Sequence, residues 1–250
     1  MSDLMRLDRL LVFLGEGTRS QCAQCIRSGK VTVDGAFVRD PGLRIDAASA
    51  RVALCGRPLS YKRHRHVMMN KPAGVLTAAR DAHARTVLDL LPPLYRACAC
   101  MPVGRLDKDT TGLLLLTSDG QLAHRIITPR RAIDKVYRAD VDGPLSEEDV
   151  RAFQNGLTLS DFTALPARLT VLESRADFAC ARVVVQEGKF HQIKRMFAAR
   201  SRTVVALHRE QIGPLALDPA LLPGQIRELT PAEEAALYAA CETDAPHPEG

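Results

Sequence analysis

The pattern of the chain changes across Tyr61-Lys62-Arg63-His64-Arg65-His66, six residues with three fixed positive charges and no apolar periodicity. Such a segment buries little, so it is expected to separate two independently folded parts. Ahead of it, Leu7, Leu10, Leu11 and Leu14 fall at i, i+3, i+4 and i+7, one face of a helix that Gly15-Glu16-Gly17 stops. Residues 18–28 read as a second short helix closed by Gly29. Val31-Thr32-Val33 and Ala36-Phe37-Val38 flank Asp34-Gly35, a favoured hairpin turn, and 51–55 reads as a further strand.

Beyond the basic stretch, strands alternate with helices. Apolar or β-branched runs of strand length occupy 67–70, 112–117, 135–141, 167–172, 181–186 and 203–207. Ser146-Glu147-Glu148-Asp149 opens a capped helix that Gly156 ends, 189–200 reads as another, and Thr230-Pro231-Ala232-Glu233 is a capping box opening a last helix. The expected organisation is α+β in two parts, 1–60 and 67–241, joined by a 61–66 linker and followed by a disordered tail at 242–250.

Composition narrows the setting. Forty-six per cent hydrophobic residues suffice for real cores, and no apolar run approaches the ~18 residues of a membrane helix. Met1–Asp8 carries acid and base where a secretory leader would be apolar, so a cytoplasmic protein without membrane contact is expected. Seven scattered cysteines make no disulfide framework, and Cys22-x-x-Cys25 lacks the second pair that a zinc site needs; they are read as small residues on a helix. The net charge of +5 is too mild to name an anionic partner, so the placement of the bases has to decide. Up to Pro58 there are nine bases against six acids.

Three polar clusters stand against apolar runs. Gly104-Arg105-Leu106-Asp107-Lys108-Asp109-Thr110-Thr111-Gly112 precedes Leu113-Leu114-Leu115-Leu116; its carboxylates, hydroxyls and bases are costly to desolvate unless paired. Its Asp-x-Asp-x-Thr is also the nucleophile signature of Mg²⁺-dependent haloacid-dehalogenase-type phosphohydrolases, which want a continuous hydrophobic strand ahead of the first Asp, whereas Pro102-Val103-Gly104-Arg105-Leu106 is a poor one. In Gly188-Lys189-Phe190-His191-Gln192-Ile193-Lys194-Arg195-Met196-Phe197, helical spacing puts Phe190, Ile193 and Phe197 on one buried face with Lys194 at its edge. The third cluster, Leu207-His208-Arg209-Glu210-Gln211-Ile212-Gly213, is weak alone, as is Tyr137 in Lys135-Val136-Tyr137-Arg138.

Taken in order, with Asn70-Lys71-Pro72-Ala73-Gly74 ahead of them, these motifs resemble the pseudouridine synthases of the RsuA family over residues 5–238. The resemblance implies a small N-terminal α/β RNA-binding domain of the ribosomal protein S-four type and a catalytic domain on a mixed, largely antiparallel sheet with flanking helices. It implies isomerisation of uridine in ribosomal RNA, of the small-subunit (16S) type by the Met196-Phe197-Ala198-Ala199 and 207–213 segments, by a monomer and in an assembling subunit. A large-subunit uridine is the alternative within the family, and an RNA-binding factor without catalysis the alternative outside it.

The reaction involves neither redox change nor hydrolysis, so no cofactor or metal is expected. By the resemblance, Asp107 is the catalytic carboxylate. It acts by adding to the uracil ring, by attacking the sugar or by removing the 2′ proton. Lys194 supplies the charge that keeps it ionised, Tyr137 stacks on the flipped base, and Arg105 fills the gap or holds its phosphate. RNA contacts are expected from Arg6, Arg9, Arg19, Arg27, Lys30 and Arg39 in the first domain. Lys71, Lys189, His191, Arg195, His208 and Arg209 are expected to make them in the second.

Overall fold

The computed structural model describes residues 3–128 and 131–242. Two compact units are present. One ends at Arg65 and takes in Leu91–Cys100; the other holds His66–Leu90 and the described residues from Met101 onward.

In the first unit the leucine repeat forms α1 (Leu7–Phe13), followed by α2 (Arg19–Arg27), whose N-terminus carries a Thr18–Gln21 capping box. Between them the chain turns at Gly15 and Gly17, as the glycine pair predicts. The hairpin β2 (Val31–Val33) to β3 (Ala36–Val38) turns through Asp34 and Gly35, both at positive φ as a type I′ turn requires. With β5 (Val52–Leu54) and β6 (Arg57–Leu59) these strands form an antiparallel sheet in the order β3-β2-β5-β6. Pro58 sits in the edge strand, where its missing N–H is harmless. A separate pair, β1 (Leu4–Arg6) with β4 (Arg44–Asp46), closes the far side. Leu7, Leu10, Leu11, Leu14, Ile26, Val31 and Val52 share one buried core with Cys22.

Two boundaries differ from the expected ones. Tyr61 is no linker residue: its ring packs 5.6 Å from that of Phe13, and its hydroxyl donates to Asp3 Oδ2 at 3.1 Å. His66 already lies in a strand, buried to 3% exposure. The other difference is the short helix α3 (Pro93–Ala97), inside the expected catalytic span, which packs on α1. Leu94 lies against Gly15, and Cys98 Sγ reaches the Phe13 carbonyl at 3.0 Å.

The second unit is built on nine strands. These are β7 (His66–Lys71), β8 (Met101–Pro102), β9 (Thr111–Thr117), β10 (Lys135–Asp142), β11 (Arg168–Ser174), β12 (Phe178–Val185), β13 (Val204–Ile212), β14 (Leu215–Ala216) and β15 (Ile226–Glu228). The order β11-β12-β10-β13-β9-β7-β15 is antiparallel except between β13 and β9, with β14 on β13 and β8 on β9, as the mixed, largely antiparallel expectation has it. Central β9 is buried on both faces, which is why it reads as an unbroken leucine run. On β10, Lys135, Tyr137, Ala139 and Val141 face the core in strict alternation with more exposed neighbours.

Helices α4 (Gly120–Ile127) and α7 (Pro231–Glu242) belong to the core containing Met68, Leu113, Leu115 and Leu237. Helices α5 (Glu147–Asn155) and α6 (Gln192–Ala198) meet through Phe153 and Phe197, ring centroids 4.9 Å apart. The capping boxes at Ser146 and Thr230 form as read. Of the expected tail, Glu242 ends α7 and residues 243–250 lie outside the described ones.

Candidate active site

Asp107 lies on the segment between β8 and β9, which turns at Gly104 with φ +73°. The chain just after β7 holds this segment by satisfying its backbone. Thr77 Oγ1 donates to the Leu106 carbonyl at 2.8 Å and accepts from the Leu106 N–H at 3.2 Å, and the Gly74 N–H donates to the Lys108 carbonyl at 2.8 Å. Lys71, fully buried, donates from Nζ to the carbonyls of Pro72 (3.0 Å), Lys108 (3.3 Å) and Thr110 (2.9 Å). One ammonium thus ties the carbonyls of Lys108 and Thr110, on the loop that carries Asp107, to that of Pro72 after β7.

Across the cleft, α6 delivers Lys194, whose Nζ lies 3.3 Å from Asp107 Oδ2 and 2.6 Å from Asp109 Oδ1. The ammonium bridges both carboxylates instead of serving Asp107 alone, and it holds the Asp109 carboxyl below its usual range. His191 Nε2 stands 3.6 Å from Asp107 Oδ1. Tyr137, Arg105 and Leu207 line the same cleft, so the structure brings all four expected catalytic residues together.

Tyr137 is held from behind. Arg209, 3% exposed, donates from Nε to the Leu113 carbonyl at 2.7 Å and from Nη1 to the Tyr137 hydroxyl oxygen at 3.3 Å. The phenol oxygen therefore accepts a charge-assisted bond, and its own hydrogen remains to be donated elsewhere. This contact depends on the parallel β9–β13 register, in which Gly112 faces Arg209.

A family model for RNA pseudouridylate synthase matches residues 65–199, and one for the S4 domain matches residues 5–51. The chain belongs to the RNA pseudouridylate synthase family. It is similar to the RNA pseudouridine synthase YtzG of Bacillus subtilis, 39% identical over 92% of this chain and 96% of that protein. It is 42% identical to the ribosomal small subunit pseudouridine synthase A of Pseudomonas aeruginosa, over 92% and 98%. A crystal structure of a pseudouridylate synthase matches with a TM-score of 0.64 and 33% identity, over 93% of this chain and 99% of that one. The enzyme is accordingly an isomerase with an S4 domain ahead of its catalytic unit.

The synthase corrects several expected RNA contacts. Lys71 and Arg209 are buried inside the protein: Lys71 Nζ is bonded to backbone carbonyls, and Arg209 Nε and Nη1 are bonded to Leu113 and Tyr137 while its Nη2 is buried without a partner, so neither is placed as a surface phosphate contact. His208 is bonded through Nδ1 to Thr111 Oγ1 at 2.8 Å and lines a groove on the sheet face opposite Leu207 and the cleft, where burial lowers its pKa. Arg195 pairs with Asp161 and covers the Phe162 ring at 4.9 Å, beside Lys189 at 4.0 Å. Lys189 is exposed and His191 partly so, both at the cleft. In the S4 domain Arg6, Arg9, Arg19, Arg27, Lys30 and Arg39 are all exposed; Arg6 is engaged by the buried carboxylate of Asp8 at 2.9 Å. No group of three metal-ligating residues occurs among the described residues, and none of their helices is long and apolar enough to cross a membrane.

Burial holds both Lys71 and Lys135 down to about 8 from an ordinary 10.5. Between those values the unfolded chain carries protons that the folded lysines have released, so folding free energy grows as pH rises. It is lost again as pH falls through 8. For Lys71 the gain is on the order of 2–3 kcal/mol across the window. Urea unfolding of the wild type and Lys71→Met at pH 7.5 and 10 measures it: the gap between them is expected to move in favour of the wild type at the higher pH. A gap independent of pH contradicts the assignment.

Proposed function

We propose that this synthase converts a uridine of small-subunit (16S) ribosomal RNA to pseudouridine, with Asp107 as its catalytic carboxylate. The observation carrying this reading is the meeting of Asp107, Lys194 and Tyr137 in one cleft, with Asp107 on a loop whose backbone is clamped. The net reaction breaks the bond from uracil N1 to the sugar, joins C5 to the same sugar carbon and moves one proton from C5 to N1. Asp107 acts on the ring, the anomeric carbon or the 2′ proton. Lys194 sets its positive charge between the two carboxylates, under a base that excludes water. Tyr137 lies against the flipped uracil, its oxygen anchored by Arg209; it can take the C5 proton only as it gives up its own hydroxyl proton, the net result being one proton moved from C5 to N1. Arg105 takes the adjoining phosphate or the vacated stack. The exposed bases of the S4 domain add affinity for the ribosomal RNA backbone, and the enzyme works in the cytoplasm as a monomer.

The 16S assignment is supported by the names of relatives such as that of Pseudomonas aeruginosa. Mapping pseudouridines in both ribosomal RNAs of a strain lacking the protein tests it. One 16S uridine is expected to stay unconverted; loss of a 23S pseudouridine instead overturns the assignment.

Lys194→Met separates charge from shape. The two carboxylates then face each other without their cation, and Asp109 is released from the bond that holds its pKa down. Turnover at pH 7 is expected to fall at least ~10-fold. RNA affinity and its salt dependence should be unchanged; a flatter salt dependence with intact turnover identifies Lys194 as a phosphate contact.

A further inference from the structure

Helical spacing places Phe190 on the buried face of α6, yet its ring is 73% exposed. The reason lies in the next residue. His191 takes φ +51°, the left-handed region, and the helix begins only at Gln192. That turn rotates Phe190 out of the helical repeat and lays its ring on the His191 imidazole, centroids 3.8 Å apart and planes within 18°. A non-glycine residue at positive φ persists only where its surroundings hold it there. Here it holds an aromatic stack in solvent beside the candidate nucleophile, since His191 Nε2 is 3.6 Å from Asp107.

The surroundings of the stack are basic, as an RNA backbone requires. Phe190 and His191 line one hollow with Arg105, Lys108 and Lys189, and Asp107 forms part of its wall. Phe37, the other strongly exposed phenylalanine, sits on the hairpin strand β3, outside the unit that holds the candidate site. Phe162, by contrast, is already covered by Lys189 and Arg195. Among the described residues Phe190 combines an exposed aromatic ring with cations and the candidate catalytic carboxylate.

When a nucleotide is flipped, its neighbours lose a stacking partner. A flat aromatic surface restores it whatever the base, because every base offers a π-face. We propose that the Phe190–His191 stack seats the base adjoining the target uridine, so that the substrate is an RNA segment unpaired on at least that side of the target. The proposal rests on the reading that the Asp107 cleft takes the uridine.

The test is a cycle between protein and RNA. An RNA fragment bearing the uridine that the wild type converts is prepared intact and with an abasic nucleotide on either side in turn. Phe190→Leu keeps an apolar side chain without an aromatic face, and Phe190→Tyr keeps the face. On intact RNA, kcat/KM of Phe190→Leu is expected to fall about tenfold and that of Phe190→Tyr to stay near wild type. For the wild type, an abasic nucleotide on one side only should cost a similar factor, and Phe190→Leu should be indifferent to that same change. Since Phe190 is exposed, Tm is expected to be unchanged. Undiminished kcat/KM in Phe190→Leu overturns the proposal, as do losses that multiply when both changes are made. Conversion of the intact fragment by the wild type, and its loss in Asp107→Asn, report separately on the cleft.

Discussion

Asp107→Asn is expected to abolish isomerisation while leaving RNA binding nearly intact. The amide has the size of the carboxylate, and the loop is held through its backbone by Lys71, Thr77 and Gly74, so the substitution disturbs no support. On the proposed reading, what disappears is the negative oxygen that attacks or takes up a proton. Loss of an essential nucleophile of this kind costs about 10⁴-fold or more in turnover. On the same reading binding rests on arginines and lysines elsewhere, and it should change by less than about threefold. Asp109→Asn is the control: its side chain is 73% exposed, and removing it leaves Lys194 free to turn fully to Asp107. Single-turnover conversion and filter binding at two salt concentrations check both variants. Equal loss from both, or rescue by Mg²⁺, contradicts the assignment and favours a metal-dependent carboxylate pair.

Gly112→Ala should be the most destabilising small substitution in the catalytic unit. Gly112 has φ +99°, and a Cβ there stands 2.3 Å from the Arg209 carbonyl oxygen and 2.7 Å from its nitrogen. Both are backbone atoms of the paired strand, so nothing yields except the parallel junction itself. Strain and clash together predict a loss of at least ~3 kcal/mol, read as a fall in Tm of roughly 6–12 °C. Activity falls with it, because the displaced residue is the one whose guanidinium holds Tyr137. Gly74→Ala is the contrast, with φ +83° but open space around the added carbon. It should cost only the backbone strain, about 1 kcal/mol. Similar losses from the two variants contradict the role given to the β9–β13 contact.

Much of this arrangement is legible in the residues. The leucine repeat, the Asp34-Gly35 turn, the capping boxes and the long strands each announce themselves through local spacing, and local spacing is what a sequence displays. Strands of two or three residues, such as β1, β8, β14 and β15, carry no period and are fixed by their partners. The four residues that meet in the cleft were readable because their motifs keep a fixed order. Lys71 and Arg209 were not, since a cation looks the same in a sequence whether it faces phosphate or three carbonyls. Only the topology, which threads β7 and β13 beside β9, converts these two from surface bases into struts. Phe190 misled for a related reason: helical periodicity presumes helical dihedrals, and the helix read from 189 begins only at Gln192, after His191 at φ +51°.

The insertion of Leu91–Cys100 into the first unit makes that unit discontinuous in the chain. During synthesis its two helices and first sheet leave the ribosome early, but Gly15 and Phe13 meet Leu94 and Cys98 only after residue 100 has followed. By then β7, an edge of nothing until β9 and β15 arrive, has also emerged. The order of emergence therefore differs from the order of completion, and a cut placed between residues 60 and 66 yields neither part whole: one fragment lacks its last helix, and the other carries that helix with nothing to rest on.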